Sequence, residues 1–312
     1  MLLLRGIAVS LTSFVLLYVV LAVLVVVGWR WMTFARRFSA KRRANWLFRA
    51  RIFPLLAAAC FTLALVVPSF ILHEPRSINE SISLPLALGA GCLLLFVLGA
   101  FRVVSAHRRA SRVVAGWLKE AKTLDAGVAA PTFQALRGTP PLTLVGVCSP
   151  RVLVSESTVS LLSSKELRVA VLHELAHMRS NDNLKKFVFY CSPFPGMKGL
   201  ENAWKAAAEL AADDGATSSS REALDLASAL IKLSRLIAVT ESPAFTMTLV
   251  EGSGSVSERV QRLLTWDETQ GEGVSTRRGY AVLSALAAFL SAAAFYGPIL
   301  AETHRITEFL VR

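Results

Sequence analysis

The chain has 312 residues, of which 54% are hydrophobic, and a formal net charge of +12. Its mean hydropathy of +0.50 and its long apolar runs exclude an ordinary soluble protein. The positive charge is concentrated beside apolar runs and no nucleic-acid recognition motif accompanies it, so no direct contact with nucleic acid is expected. The four cysteines are scattered without a C-x-x-C pair, which indicates free thiols.

Four apolar segments predict four transmembrane helices. The predicted spans are 6–28, 52–72, 84–104 and 279–300. The first run is too long for the core of a signal peptide and lacks a small-residue cleavage site, so we interpret it as a membrane span. The third span contains Gly89, Gly91 and Gly99, which would allow close helix packing.

The basic residues beside these spans predict how the chain crosses the membrane. A loop is predicted over residues 30–51, which contain eight Arg or Lys residues and no acid. Four arginines between Arg102 and Arg112 follow the third span. The positive-inside rule places both regions in the cytoplasm, where they would also contact anionic membrane lipids. A domain of residues 105–278 is then cytoplasmic, both termini lie outside, and residues 301–312 form a short extracytoplasmic tail.

The cytoplasmic segment predicts an α+β domain. A helix should continue from the membrane over 103–122, and the β-rich runs 143–147 and 151–154 predict a hairpin. Ser163 and Glu166 have the spacing of a capping box, which would start the next helix. Further helices are predicted over 201–216, 221–239 and 257–265. The proposed core face of the helix 221–239 consists of Leu224, Leu226, Leu230, Leu233 and Leu236.

The helix that begins after Ser163 carries the run His173-Glu174-Leu175-Ala176-His177. His173 and His177 lie one turn apart on the same helix face, so both imidazoles can bind one zinc ion. Glu174 can take a proton from a zinc-bound water. The motif also occurs by chance, so a third ligand is the decisive observation.

Glu209 is the better candidate for the third ligand. The only other histidine of the cytoplasmic segment, His107, lies in the basic cluster beside the membrane. Glu209 and Asp213 are four residues apart on a helix, so Glu209 can bind the metal while Asp213 accepts the second N–H of a ligand histidine. A solvated acidic helix face is the alternative, but the alanine-rich flank favours burial.

These residues resemble the gluzincin pattern H-E-x-x-H-x-x-x-x-D followed by E-x-x-x-D. Within that clan the chain is similar to the BlaR/MecR-type integral-membrane zinc metallopeptidases, the antirepressor peptidase family. The resemblance implies one zinc ion held by His173, His177 and Glu209, with Glu174 as the catalytic base and Asp213 in support of a ligand. Asp182 is either a second residue that supports a ligand or a helix-end cap.

The resemblance also implies a fold class and a function. We expect a mainly α membrane protein with four transmembrane helices and a cytoplasmic α+β gluzincin-like zinc peptidase domain, located in the bacterial inner (cytoplasmic) membrane. The implied substrate is a cytosolic protein, expected to be a winged-helix transcriptional repressor, and the enzyme itself is a second target in signal transduction. A β-lactam-binding sensor domain is not expected, because only residues 301–312 follow the fourth span and no S-x-x-K motif is present outside. The oligomeric state is open, and a homo-oligomer is one option.

Several alternatives stay open. Tyr190 could stabilise the oxyanion of the reaction or could be a core or interfacial residue, and residues 184–197 could lie at the membrane interface or in the domain core. Substrate is expected to extend along the edge of the 143–154 hairpin.

The alternative functions are a housekeeping membrane peptidase of the CAAX-protease or heat-shock type and a non-catalytic signalling protein with structural zinc. The gap between the zinc motifs lacks a full span, which disfavours the first alternative, and Glu174 disfavours the second.

Overall fold

The computed structural model describes residues 2–29, 39–73, 83–128, 132–135, 139–147, 149–192, 194–236, 247–248, 256–266 and 296–311. The chain divides into two compact units. The first unit contains residues 1–30, 52–100 and 273–312, and the second contains residues 31–51 and 101–272. Most described residues are helical, as predicted, and one small sheet lies in the second unit.

The first unit is helical throughout its described part. Its helices are α1 (Leu2–Gly28), the later part of α2 (Ala40–Phe61), α3 (Val67–His73), the first part of α4 (Ser83–Glu120) and α11 (Tyr296–Val311). A π-helical turn, Thr62–Val66, joins α2 to α3. Gly89 packs closely, since a Cβ added there would lie 3.1 Å from Cα of Ala8. Among the described residues, no atom lies within 4 Å of such a Cβ at Gly91 or Gly99, so in this part of the chain the predicted close packing is seen at Gly89 and not at the other two.

Among the described residues, the stretches Leu3–Gly28 and Ala40–His73 are long and apolar enough to cross a membrane. They cover the first two predicted spans and support membrane association. The third predicted span lies within α4. Most of the fourth falls in residues 267–295, outside the described residues. Four spans and their orientation therefore stay a prediction.

We predicted a loop over the basic segment 30–51, but part of this segment is helical. Residues 30–38 lie outside the described residues, but α2 begins at Ala40 and continues into the apolar stretch. Arg51 was expected to face lipid or cytosol, whereas it is 1% exposed. Within the second unit, its guanidinium group donates to Glu201 and to the carbonyls of Phe189 and Ser192.

The sheet of the second unit has five strands. They are β1 (Lys122–Thr123), β2 (Thr132–Ala135), β3 (Leu142–Val145), β4 (Arg151–Ser155) and β5 (Met247–Thr248), in the order β1-β2-β4-β3-β5. The predicted hairpin is confirmed, since β3 pairs antiparallel with β4 and Thr143 lies opposite Leu153. β5 pairs antiparallel with the other side of β3 at Thr143 and Leu144. The edge of β3 along which substrate is expected to extend is therefore paired with β5 at these two residues.

The remaining helices of the second unit pack around this sheet. They are α5 (Glu156–Leu161), α6 (Ser164–Arg179), α7 (Asp182–Cys191), α8 (Lys198–Ala216), α9 (Ser220–Ser234) and α10 (Val256–Leu264). The predicted capping box is present, because the Ser163 backbone N–H donates to Glu166 at 2.8 Å and the Glu166 N–H donates to the Ser163 hydroxyl at 3.3 Å. Lys232 of α9 also donates to Glu166, so the start of α6 is attached to α9.

The core of the second unit lies between the sheet, α6 and α9. Leu226, Leu230 and Leu233 are completely buried there, as predicted, and each contributes about 1.5–3 kcal/mol by burial. The prediction for Leu224 is wrong, because its side chain is 52% exposed. Residues 226, 230 and 233 follow the i, i+4, i+7 spacing of one helix face, and residue 224 lies off that face. This core holds α6 in place beside β3.

Candidate metal centre

α6 and α8 pack against each other and bring the three predicted ligands together. The side chains of His173 and His177 are 0% exposed and that of Glu209 is 2% exposed. The Nε2 atoms of the two histidines are 3.1 Å apart, and each lies 3.6 Å from one carboxylate oxygen of Glu209. Because these donor atoms lie within 4.8 Å of one another, the group could hold a metal ion.

A carboxylate faces the second nitrogen of each histidine. Asp213 Oδ1 lies 3.0 Å from Nδ1 of His173, and Asp182 Oδ2 lies 2.8 Å from Nδ1 of His177. Carboxylates accept hydrogen bonds, so they favour a proton on both Nδ1 atoms and leave both Nε2 lone pairs directed at the centre. Two lone pairs and an anionic carboxylate then converge, and a cation, either a proton or a metal ion, stabilises this arrangement.

The distances also fit a metal ion. Tetrahedral ligands with metal–nitrogen bonds of 2.0–2.1 Å would lie about 3.3 Å apart, close to the separation of the two Nε2 atoms. Burial lowers the pKa of His173, but Asp213 and Glu209 outweigh it and raise that pKa to about 9. Burial also raises the pKa of Glu209, but the charges of Arg259 and the histidines lower it overall. The cluster therefore attracts positive charge.

Glu174 follows the first ligand and is 0% exposed. Neither of its carboxylate oxygens has a hydrogen-bond partner of good geometry among the described residues. Burial raises its pKa to about 8, although the charge of His173 and the backbone of Leu144 partly oppose this effect. A buried acidic group without a fixed partner, beside a metal-binding cluster, is available for proton transfer.

Arg259 is a site residue that sequence reasoning missed. It lies on α10, is 4% exposed, and places Nη1 2.8 Å from Oε2 of Glu209. Its Nε and Nη2 donate to the two oxygens of Asp213 at 2.9 and 2.6 Å. Its only sequence signal was its place in the helix predicted over 257–265. The arginine binds both carboxylates that α8 contributes to the centre.

A sharp turn between α6 and α7 places the next two polar residues. Asn181 adopts the left-handed conformation with φ of 54°, so the chain reverses direction after α6. Asp182 then contacts His177. It is not the cap of either helix, because Ser180 is the C-cap of α6 and Asn181 is the N-cap of α7, so its position favours ligand support. Asn183, which sequence reasoning missed, donates to the carbonyls of Leu144 and Gly146 at 3.0 and 2.9 Å. The start of α7 therefore contacts both a predicted ligand, His177, and the strand beside Glu174.

Tyr190 is not among the residues that the structure brings together. It lies on α7, eight residues after Asp182, which is about 12 Å along a helix axis. Its side chain is 47% exposed, whereas the ligands are buried. An interfacial position therefore fits Tyr190 better than a role in stabilising the oxyanion or a place in the core. The segment 184–197 is mixed, because Phe189 and Met197 are buried while Leu184 is exposed.

Comparison with known proteins agrees with this site. A family model described as BlaR1 peptidase M56 matches residues 69–263, which is more than half of the chain. The match includes every residue of the cluster and Arg259. No curated protein has a significant match to the chain. The matched family consists of membrane-associated metallopeptidases, in agreement with the two apolar helices and the His-His-Glu cluster. The chain belongs to the BlaR1 peptidase M56 family.

Proposed function

We propose that the protein is a membrane-bound zinc endopeptidase that cleaves a cytosolic protein. Two imidazoles and one carboxylate form the donor set of a catalytic zinc site, in which the fourth position stays open for water or substrate. His173, His177 and Glu209 would hold the ion. Bound zinc supplies Lewis-acid chemistry, which polarises a peptide carbonyl and lowers the pKa of water to about 7.

The observation that carries the proposal is the position of Glu174. A structural zinc site has no use for a buried acid next to its first ligand, whereas a peptidase requires a base there. Glu174 takes a proton from the attacking water and returns it to the leaving amine nitrogen. Asp213 and Asp182 hold His173 and His177 in the required tautomers, and Arg259 holds Glu209 and Asp213.

The substrate is proposed to bind as an extended strand. β3 lies against α6, and its outer side already pairs with an extended segment of this chain, β5. This pairing supports strand addition as the binding mode. It also supports the chain itself as one substrate. Any other protein has to displace β5 at Thr143 and Leu144 to use the same edge.

The other substrate is proposed to be a winged-helix transcriptional repressor, with the enzyme in the bacterial cytoplasmic membrane and the peptidase unit on the cytoplasmic side. The basic residues beside the apolar helices and membership of the family support this assignment. Contact with anionic lipids through the exposed basic residues of α2 is part of the same proposal. The enzyme itself would not contact nucleic acid.

The test compares the wild type with Glu174→Gln. Both proteins are purified in detergent with zinc, their metal content is measured, and each is incubated with the cytosolic proteins of the host. Glu174→Gln should retain zinc and lose cleavage by about 10²–10⁴-fold, because only the proton transfer is removed. Glu156→Gln, at an exposed position on α5, serves as the matched control and should cleave normally.

Each alternative predicts a different result. Retained cleavage by Glu174→Gln would contradict the role of Glu174. Cleavage of misfolded membrane proteins, without one defined cytosolic target, would favour a housekeeping peptidase. Full signalling by Glu174→Ala in cells would favour a non-catalytic zinc protein.

A further inference from the structure

α7 is held at its first turn by the metal site. Asp182 contacts His177 through Oδ2, and its second oxygen, Oδ1, accepts from Lys185 at 3.0 Å. Asn183 contacts β3 through two carbonyls. A displacement of α7 therefore moves both the acceptor that fixes His177 and the strand beside Glu174.

The other end of α7 is held by Arg51 of α2. The guanidinium donates to the Ser192 carbonyl at 2.6 Å and to the Phe189 carbonyl at 3.4 Å, and both carbonyls lie at the helix end. Its Nε donates to Glu201 of α8 at 2.8 Å. The last carbonyls of a helix carry partial negative charge, so a cation is the appropriate group there.

A second contact between α2 and α7 leads more directly to the metal site. The ammonium group of Lys185 lies 5.7 Å from the ring centre of Phe48, which is one turn before Arg51 on α2. The same Lys185 forms the ion pair with Asp182, whose other oxygen contacts His177. The Phe48 ring also contacts Phe189 at a centroid distance of 5.6 Å. Three consecutive contacts thus join α2 to a metal ligand.

We propose that Arg51 and Phe48 of α2 are positioning residues for the metal centre. They fix α7, α7 fixes Asp182, and Asp182 fixes the ring of His177. This inference rests on the proposed function, because it concerns the affinity of the same site for zinc. The metal centre would then depend on α2, a helix that contributes no ligand to it.

The experiment measures metal binding by the full chain in detergent. Zinc affinity is determined by competition with a chelator, and the visible spectrum of the cobalt-substituted protein reports the ligand geometry. Arg51→Gln should weaken zinc binding by about 10-fold or more and alter the cobalt spectrum, as expected when a ligand loses its orienting contacts. Arg51→Lys should restore part of the affinity. Arg49→Gln, two residues away on the exposed side of α2, is the matched control and should bind as the wild type does.

A second variant tests the same inference without changing the buried arginine. Lys185→Gln should also weaken zinc binding and change the cobalt spectrum, while Lys205→Gln on α8 should not. The side chain of Lys185 is 14% exposed and that of Arg51 is 1% exposed, so substitution of Lys185 should disturb the packing less. The Lys185 variant therefore tests the inference even if Arg51→Gln prevents folding. Wild-type affinity and an unaltered spectrum in Lys185→Gln, and in a folded Arg51→Gln, would overturn the inference. Failure of the wild type itself to bind zinc would instead refute the proposed function.

Discussion

Arg259 binds the carboxylate of Asp213 through two nitrogens, with Nε 2.9 Å from one oxygen and Nη2 2.6 Å from the other. Its third nitrogen lies 2.8 Å from Glu209. A single guanidinium therefore holds a proposed metal ligand, Glu209, and the residue that faces another proposed ligand, His173. The planar fork of arginine suits this double contact, and the compact ammonium of lysine does not.

Loss of Arg259 should destabilise the protein and weaken metal binding. Arg259→Gln leaves two buried carboxylates without their cation, which costs about 3–5 kcal/mol, and the loss of ligand support lowers metal affinity about 10–100-fold. Denaturant unfolding and chelator competition measure the two effects. Arg262→Gln is the matched control on the same helix, because the partly exposed pair of Arg262 with Asp214 contributes less than about 1 kcal/mol. Equal effects of the two substitutions would contradict the role of Arg259.

Substitution of Asp182 should affect the metal more than the fold. In Asp182→Asn the acceptor of the His177 Nδ1 proton loses its charge, so we expect zinc affinity to fall about 10–100-fold. The side chain keeps its size, and the helix that it begins should persist. Chelator competition measures the affinity, and circular dichroism measures the helix content. Asp225→Asn on α9 serves as the control, and zinc affinity equal in both variants would refute the assignment.

The ion pair of Glu166 should make stability fall in acid. Burial alone would raise the pKa of Glu166, but Lys232, Ser228 and Ser163 lower it to about 2 from 4.5. Because the folded pKa is the lower one, the ionised group stabilises the fold fully above about pH 4.5, and this contribution is lost as the pH falls towards 2. We expect about 1–2 kcal/mol, allowing for the partly exposed Lys232.

The variant Glu166→Gln tests that pH dependence. Glutamine still accepts from the Ser163 N–H but cannot pair with the charge of Lys232, so the variant should be less stable than the wild type at pH 6. The difference between the two free energies of unfolding should shrink as the pH approaches 3. A constant difference across that range would contradict the pKa assignment.

Substitution of one glycine by alanine should destabilise the hairpin beside the metal site. Gly146 has φ of 92°, and a Cβ there would lie 2.8 Å from the Ser149 carbonyl oxygen. Gly146→Ala should therefore cost about 1–3 kcal/mol. The matched control is Gly116→Ala in the middle of α4, where an added Cβ would have no described atom within 4 Å. This substitution should stabilise the protein by about 0.5–1 kcal/mol. Thermal unfolding of the two variants should move in opposite directions, and stabilisation by Gly146→Ala would refute the strained turn.

The parts of the site that the sequence predicted are those set by local periodicity. His173 with His177, and Glu209 with Asp213, are each four residues apart, so helix geometry alone places each pair on one face. Arg259 gave no such signal, because its partners lie 46 and 50 residues away in the chain. Arg51 was one of eight basic residues in its segment, and only the folded chain distinguishes it from the others.

The fold shows the same limit of local information. The strands β3 and β4 carry a clear apolar pattern and were predicted with their turn. β1, β2 and β5 are two to four residues long, and β5 pairs with β3 from about 100 residues away, so no local pattern marks them. α7 begins after a left-handed Asn181, and neither its start nor its contacts follow from residue composition.

The second unit is discontinuous in sequence, since residues 31–51 join 101–272 across an intervening segment of the chain. A soluble fragment that begins at Phe101 would lack Phe48 and Arg51. It would leave the Phe189 and Ser192 carbonyls and the Glu201 carboxylate without a buried cation. We therefore expect that the enzyme, when it is expressed without its apolar helices, is more stable if residues 31–51 are supplied as well, for example in a circularly permuted chain or as a separate peptide.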